Sequence, residues 1–222
     1  MSATTARNPK PYRGIGMEGV IATWYAKNTG KSIAEFQSLA KRIAGELEPG
    51  SRVLEVAPGP GYLAIALAQL GYQVTGIDVS RSFVRIAREN ATRDGVSVDF
   101  REGDAAAMPF AAELFDFAVC RAAFKNFGDA AGALGEMHRV LRAGGTALIV
   151  DLRKDASSKA IADEVAKMKL GPLDAFGTRI TLSLLTRRAY SRLDFERMAQ
   201  ASPFSRFDIL EGPIGFEVRL VK

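Results

Sequence analysis

The chain has 222 residues, 47% of them hydrophobic and 25% charged, with a net charge of +5 and a single cysteine. This suits one α/β domain with a full core, and it excludes an internal disulfide and, with one histidine, a zinc site of the usual Cys/His kind. No stretch approaches the roughly 20 apolar residues of a membrane span, so no membrane contact is expected. The opening MSATTARNPKPYRG lacks the apolar centre of a signal peptide, and the lone Cys120 fits a reducing, cytoplasmic location. The basic residues are scattered, the tightest pair lying in TRR at 186–188. A nucleic-acid partner would call for a clustered stripe with interleaved aromatics, so the charge points to an anionic small substrate or carries no meaning.

Two helices are predicted first. MEGVIATWYAK (17–27) has apolar residues at helical spacing, and SIAEFQSLAKRIAGEL (32–47) opens with Ser32 and Glu35 at capping-box spacing. Trp24 is expected on the packed face of the first. Strands and helices then alternate: strand 52–57, helix 62–70 stopped by Gly71, strand 72–78, helix 81–94, strand 96–102, strand 114–120, helix 129–142 and strand 145–152. Consecutive apolar residues such as ALIV suit strands covered on both faces, and the alternation predicts a doubly wound, mostly parallel sheet. A helix follows at 157–170, and 171–189 is left unassigned. Ser191 and Asp194 begin another helix with a capping box, and the chain closes with a hairpin around Gly212-Pro213. The expected organisation is one domain, 1–222. It divides into an N-terminal helical cap and arm (1–48), a cofactor-binding core (50–152), an insertion with helices that is a candidate substrate lid (153–203) and a terminal hairpin (204–222).

Chemistry concentrates in VLEVAPGPGYLAIALAQLGYQVTGIDVS (53–80). Gly59, Gly61 and Ala64 satisfy G-x-G-x-x-A, so the glycines alone admit a dinucleotide. Asp78, ending the second strand, suits any ribose in the crevice at the carboxyl ends of the strands. Glu55 separates the readings. It stands inside an apolar strand, where a carboxylate is costly unless a partner such as a cationic cofactor offsets it. Pro58 and Pro60 remove amide donors, which suits a neutral ribose and amino-acid tail better than a pyrophosphate.

These segments resemble class I S-adenosylmethionine-dependent methyltransferases, of the small-molecule branch that includes ubiquinone and menaquinone biosynthesis enzymes. VLEVAPGPG resembles their first motif and GIDVS the ribose-binding end of strand two. GDAAAMPF (103–110) resembles the adenine cup, FDFAVCRAAF strand four, and EMHRVLRAGGTALIVDL the helix–GG–strand five element. The likeness covers 50–152. It implies a Rossmann-like seven-stranded sheet, mostly parallel, with helices on both faces and an antiparallel C-terminal strand that GFEVRLVK would supply. It also implies S-adenosyl-L-methionine as cofactor and S-adenosyl-L-homocysteine as product.

By the resemblance, Glu55, Ala57, Gly59 and Gly61 line the methionine and ribose, and Asp78 holds the ribose hydroxyls with Val79 against the adenine. Asp104 accepts from the adenine amino group and the Ala105 backbone meets a ring nitrogen. Cys120 and Arg121 flank the methionine tail, and Tyr25 folds over the cofactor. Many relatives carry a histidine just past strand four; RAAFKNF (121–127) does not. Asn126 and Lys125 are therefore the candidates to orient the substrate, with Phe124 and Phe127 packing on it, or else this is a helix start with its Phe residues in the core. Tyr12 and Arg13, in a glycine-rich arm, are candidate substrate contacts. His138 is expected to be structural, and no metal is expected. Displacement at a sulfonium needs an aligned nucleophile and exclusion of water, and a base only for a protonated acceptor. The alternatives are an NAD(P)-linked oxidoreductase, a non-catalytic S-adenosylmethionine binder and an RNA methyltransferase. The residues leave the acceptor and the oligomeric state open.

Overall fold

Seven strands form one sheet in the order β3-β2-β1-β4-β5-β7-β6. They belong to a computed structural model that describes residues 12–14, 16–30 and 33–222. The strands are β1 (Arg52–Val56), β2 (Gln73–Asp78), β3 (Asp99–Glu102), β4 (Phe115–Arg121), β5 (Leu141–Leu152), β6 (Arg206–Glu211) and β7 (Gly215–Val221). The first five pair in parallel, while β7 runs antiparallel between β5 and β6. The sheet is the expected one, antiparallel terminal strand and hairpin included.

Alternation along the central strands splits the core in two. Leu54, Val56, Ala118, Cys120, Ala147 and Ile149 face α5 (Ala130–Val140) and α8 (Arg192–Ala201). Val53, Val74, Phe117, Val119 and Leu148 face α2 (Ile33–Ala44), α3 (Tyr62–Gln69) and α4 (Arg81–Arg93). Both faces are covered, which is why these strands read as unbroken apolar runs. Burying one of the large side chains, such as Phe117, stabilises the fold by about 2–3 kcal/mol.

The reversal of strand order at β1 and β4 opens a crevice at the carboxyl ends of the strands, the usual ligand position in such sheets. The loop from β1 into α3 enters it through left-handed Gly59 (φ 55°) and Gly61 (φ 82°). A Cβ on Gly61 would stand 2.7 Å from the Phe100 ring and 3.0 Å from Ala87. Gly61→Ala is therefore expected to lower stability by about 2 kcal/mol or more in urea unfolding, combining overpacking with left-handed strain.

Several sequence expectations change. The third strand is only Asp99–Glu102, and α5 ends at Val140, where β5 starts at once and shifts register. Gly144 and Gly145 lie within β5, joined by backbone bonds to Lys222. The unassigned stretch is a helix, α7 (Pro172–Arg188), preceded by α6 (Ser158–Lys167). Trp24, on α1 (Gly19–Thr29), is 66% exposed rather than packed. The Ser191–Asp194 capping box is present, while Ser32 lies outside the described residues. Among the described residues, no helix is long and apolar enough to cross a membrane.

Candidate active site

Glu55 occupies the fourth position of β1, in register with Gly76 of β2 and Val119 of β4. Its side chain is 3% exposed and its Oε2 is the one buried side-chain polar atom without a hydrogen-bond partner among the described residues. Burial lifts its carboxyl to about 8; the Ala64 amide and the Arg121 charge oppose this, and Asp78 adds to it. Arg121 is held away by Glu35 at 2.9 Å and by stacking on Phe36 at 4.2 Å.

Asp78 ends β2 with its carboxylate anchored at both oxygens. Oδ1 accepts from the Ser80 amide at 2.9 Å and Oδ2 from the Gly59 amide at 3.0 Å. Burial outweighs these bonds and raises it to about 6. The carboxylate is thus locked in orientation while each oxygen keeps acceptor capacity.

The loop between them is poor in free amides. The Ala57 amide donates to Ile77 (2.8 Å), Gly59 to Asp78 and Gly61 to the Pro58 carbonyl (3.0 Å), and Pro58 and Pro60 have none. Asn90 fixes the Pro60 carbonyl at 2.9 Å. A pyrophosphate, which needs several converging N–H groups, finds no donor from 57 to 61.

Two described pieces of the N-terminal arm, 12–14 and 16–19, dock on opposite sides of β1. On the β2 side, the Gly19 amide donates to Ser82 Oγ, Glu18 accepts from the Ser82 amide and Ser80 Oγ donates to the Met17 carbonyl. On the β4 side, Tyr12 bridges to Phe127 and the Arg13 amide donates to the Asn126 carbonyl at 2.8 Å. β1 lies between these two anchors. Tyr25 is half-buried, edge-on to Phe83 at 5.6 Å, so the first helix closes the same side.

The remaining candidates divide. Val79 is 40% exposed at the end of β2, and Ala105 is half-buried in a turn where Asp104 Oδ1 accepts from the Ala106 amide. Cys120 is fully buried in the sheet, and burial pushes its thiol up, so its side chain is a core residue. Phe124 is fully buried against Phe127, Tyr190 and Phe195 (5.2–5.9 Å), and Phe127 is buried too: the core alternative describes both. Lys125 lies inside as well, its Nζ 2.7 Å from Asp151 Oδ1 and bonded to the Ala122 carbonyl. An ammonium held this way is not a free base. Asn126 is half-buried, and its hydrogen bonds among the described residues are those of its backbone: the carbonyl accepts from the Arg13 amide and the amide donates to the Ala123 carbonyl. His138 packs edge-on against Phe204, away from the crevice.

Sequence reasoning missed Asp151, which also accepts from the Lys125 and Leu152 amides, and Tyr190, which carries Phe124. It also missed Ala122 (φ 58°) and the left-handed backbone of Ala57 (φ 58°), a residue it had placed at the cofactor; both are non-glycine residues where β1 and β4 enter the crevice. Such strain gathers at functional sites. In sequence, an acid ending an apolar strand was the one available signal for Asp151.

Residues 54–149 match the family model described as a methyltransferase domain. The match covers fewer than half of the 222 residues. The chain is 39% identical over 112 residues to the demethylmenaquinone methyltransferase of Chlorobaculum parvum, covering 50% of this chain and 44% of that protein. It is 28% identical to the ubiquinone biosynthesis O-methyltransferase of Pseudomonas aeruginosa, over 71% of this chain and 63% of that one. The matches thus span about half the length of these curated relatives. A SAM-dependent methyltransferase from Aquifex aeolicus superposes with a TM-score of 0.64 at 19% identity, covering 85% of this chain and 97% of that chain, which establishes the shared fold. The matched segment contains Glu55, Asp78, Asp104 and Asn126, and stops at Ile149, before α6 and α7.

Glu55 gives the site a pH signature. The folded chain keeps its proton up to about pH 8, whereas the ordinary value is 4.5. Between these limits the folded state binds more protons than the unfolded one, so stability falls as pH rises through that window. Thermal unfolding of the unliganded protein is expected to show a midpoint lower by at least about 3 °C at pH 8 than at pH 5. In Glu55→Gln most of that slope disappears; an unchanged slope would place the titration elsewhere.

Proposed function

We propose that the protein is an S-adenosylmethionine-dependent methyltransferase that methylates oxygen, nitrogen or carbon of a small-molecule acceptor. The observation that carries this reading is Glu55 Oε2, buried without a partner beside Asp78. An orphaned carboxylate of raised pKa is a site for positive charge. The cofactor brings an ammonium and a sulfonium, and when bound it supplies a methyl group on an already good leaving group. Glu55 and the loop backbone would hold the amino-acid end, Asp78 the ribose hydroxyls, and Val79, Asp104 and Ala105 the adenine. The dinucleotide reading is disfavoured by the lack of loop amides.

The protein's work is alignment and dryness. The arm pieces docked on either side of β1 and the helices of 153–203 would cover the crevice and exclude water, and Asn126 directs the acceptor through its side-chain amide. Lys125, tied to Asp151, positions the turn that carries Asn126. The relatives are named for quinone substrates, and a quinone-like ring is the acceptor class we favour. Its methylation would take place in the cytoplasm.

Asn126→Ala is expected to reduce kcat by about tenfold or more while S-adenosylhomocysteine binds as tightly as before. Single-turnover assays with labelled cofactor on quinone-type acceptors, paired with calorimetry, read both quantities. Equal losses in cofactor affinity and rate would remove Asn126 from acceptor alignment.

A further inference from the structure

A second recess of about 480 Å³ opens beside the crevice, lined by Arg13, Lys154, Arg187, Arg188, Tyr190 and Arg197. The acid on its wall, Asp194, is engaged in the capping box, accepting from the Ser191 amide and hydroxyl. None of the five cations is ion-paired among the described residues. Their neighbours are: Arg153 meets Asp155 and Glu211, and Arg192 meets Glu196 and Glu211. Elsewhere Arg42, Arg81, Arg139 and Arg219 each hold a carboxylate. The five cations are exposed and share the recess with one carboxylate, Asp194, whose pKa the Lys154 and Arg197 charges help to lower, so the local charge stays strongly positive and a bound anion would relieve their mutual repulsion. Arg187 and Arg188 are tolerated there because they occupy the last turn of α7, where the helix dipole favours positive charge.

The recess continues the crevice. Arg13 donates its amide to Asn126, Lys154 donates its amide to the Tyr190 carbonyl at 3.0 Å, and the Tyr190 ring rests on Phe124 at 5.9 Å. Tyr12 senses both sides, with the Asp78 charge raising its hydroxyl and the Arg188 charge lowering it, although burial is the larger effect. The Asn126 turn and the recess thus share Arg13 and Tyr190 as neighbours.

We propose that this recess binds a carboxylate or phosphate on the methyl acceptor, making the substrate a small acid whose other end is methylated near Asn126. Arginine forks match either anion with paired, charge-assisted bonds. The assignment rests on the methyltransferase reading above and adds the acceptor's charge.

The test is calorimetric titration of the full chain, saturated with S-adenosylhomocysteine, with benzoate, phenyl phosphate and neutral benzamide. The two anions are expected to bind and benzamide not to; whichever anion binds more tightly identifies the group. Arg187→Gln/Arg188→Gln should weaken the anions by at least about tenfold. Arg187→Lys/Arg188→Lys should restore part of that affinity, and Arg179→Gln, elsewhere on α7, should change nothing. Homocysteine-ligand affinity should be equal in all variants, which separates a failure here from a failure of the cofactor site. Benzamide binding as well as benzoate, equal losses in Arg179→Gln, or a short RNA binding where the small anions do not would each overturn the proposal.

Discussion

Asp78→Ala is expected to weaken S-adenosylhomocysteine binding by at least about a hundredfold, from the loss of two charge-assisted bonds worth together about 3 kcal/mol. The carboxylate suits this role because its position is set before any ligand arrives. The Ser80 and Gly59 amides hold its two oxygens at 2.9 and 3.0 Å, and burial keeps bulk water from competing. Binding should strengthen as pH rises through about 6, where the folded-state carboxyl ionises. Asp78→Asn, with one acceptor oxygen left, should fall between wild type and alanine. Circular dichroism separates lost affinity from lost fold, since the alanine variant leaves two amides without acceptors. A folded Asp78→Ala protein of undiminished affinity would move the ribose elsewhere.

Breaking the Lys125–Asp151 pair is expected to have the largest effect on stability. Both side chains are almost fully buried, and removing one partner strands the other's charge at a cost of about 3–5 kcal/mol. Lys125→Met should cost that much in urea unfolding. Asp151→Leu should cost at least as much, because Asp151 also accepts from the Lys125 and Leu152 amides. The double variant Lys125→Met/Asp151→Leu should be more stable than the sum of the two losses implies, the pairwise term appearing as coupling of about 1 kcal/mol or more. If Lys125→Met instead keeps its stability and loses only catalytic rate, the lysine acts on the acceptor and not on the fold.

The sequence was most readable where backbone and chemistry coincide. The glycine–proline loop, Glu55 and Asp78 are local signals within 25 residues, and the apolar strand runs carry the sheet without further help. What resisted reading depends on distant contacts. Leu173, Phe176, Ile180 and Leu184 leave an apolar outer face on α7, while Thr186 and half-buried Leu182 and Leu185 face inward. With apolar residues on both sides, no single stripe marked the helix. Phe124 and Lys125 looked like crevice residues because they follow β4 directly. Their burial depends on Tyr190, Phe195 and Asp151, which lie 26 or more positions away. The docking of the N-terminal arm is legible only once its contacts at Ser82 and at Phe127 are seen on either side of β1.

Glu55, Asp78 and the amide-poor loop together suit an adenosyl ligand with a cationic tail. Calorimetric titration of the unliganded protein with S-adenosylmethionine, S-adenosylhomocysteine and NAD(H), in buffers of differing ionisation enthalpy near pH 7, tests it most directly. Both adenosyl ligands are expected to bind in the micromolar range with proton release, as Glu55 gives up its proton beside an ammonium, and NAD(H) is expected not to bind. Binding of NAD(H) alone, or no binding of either adenosyl ligand, would contradict it.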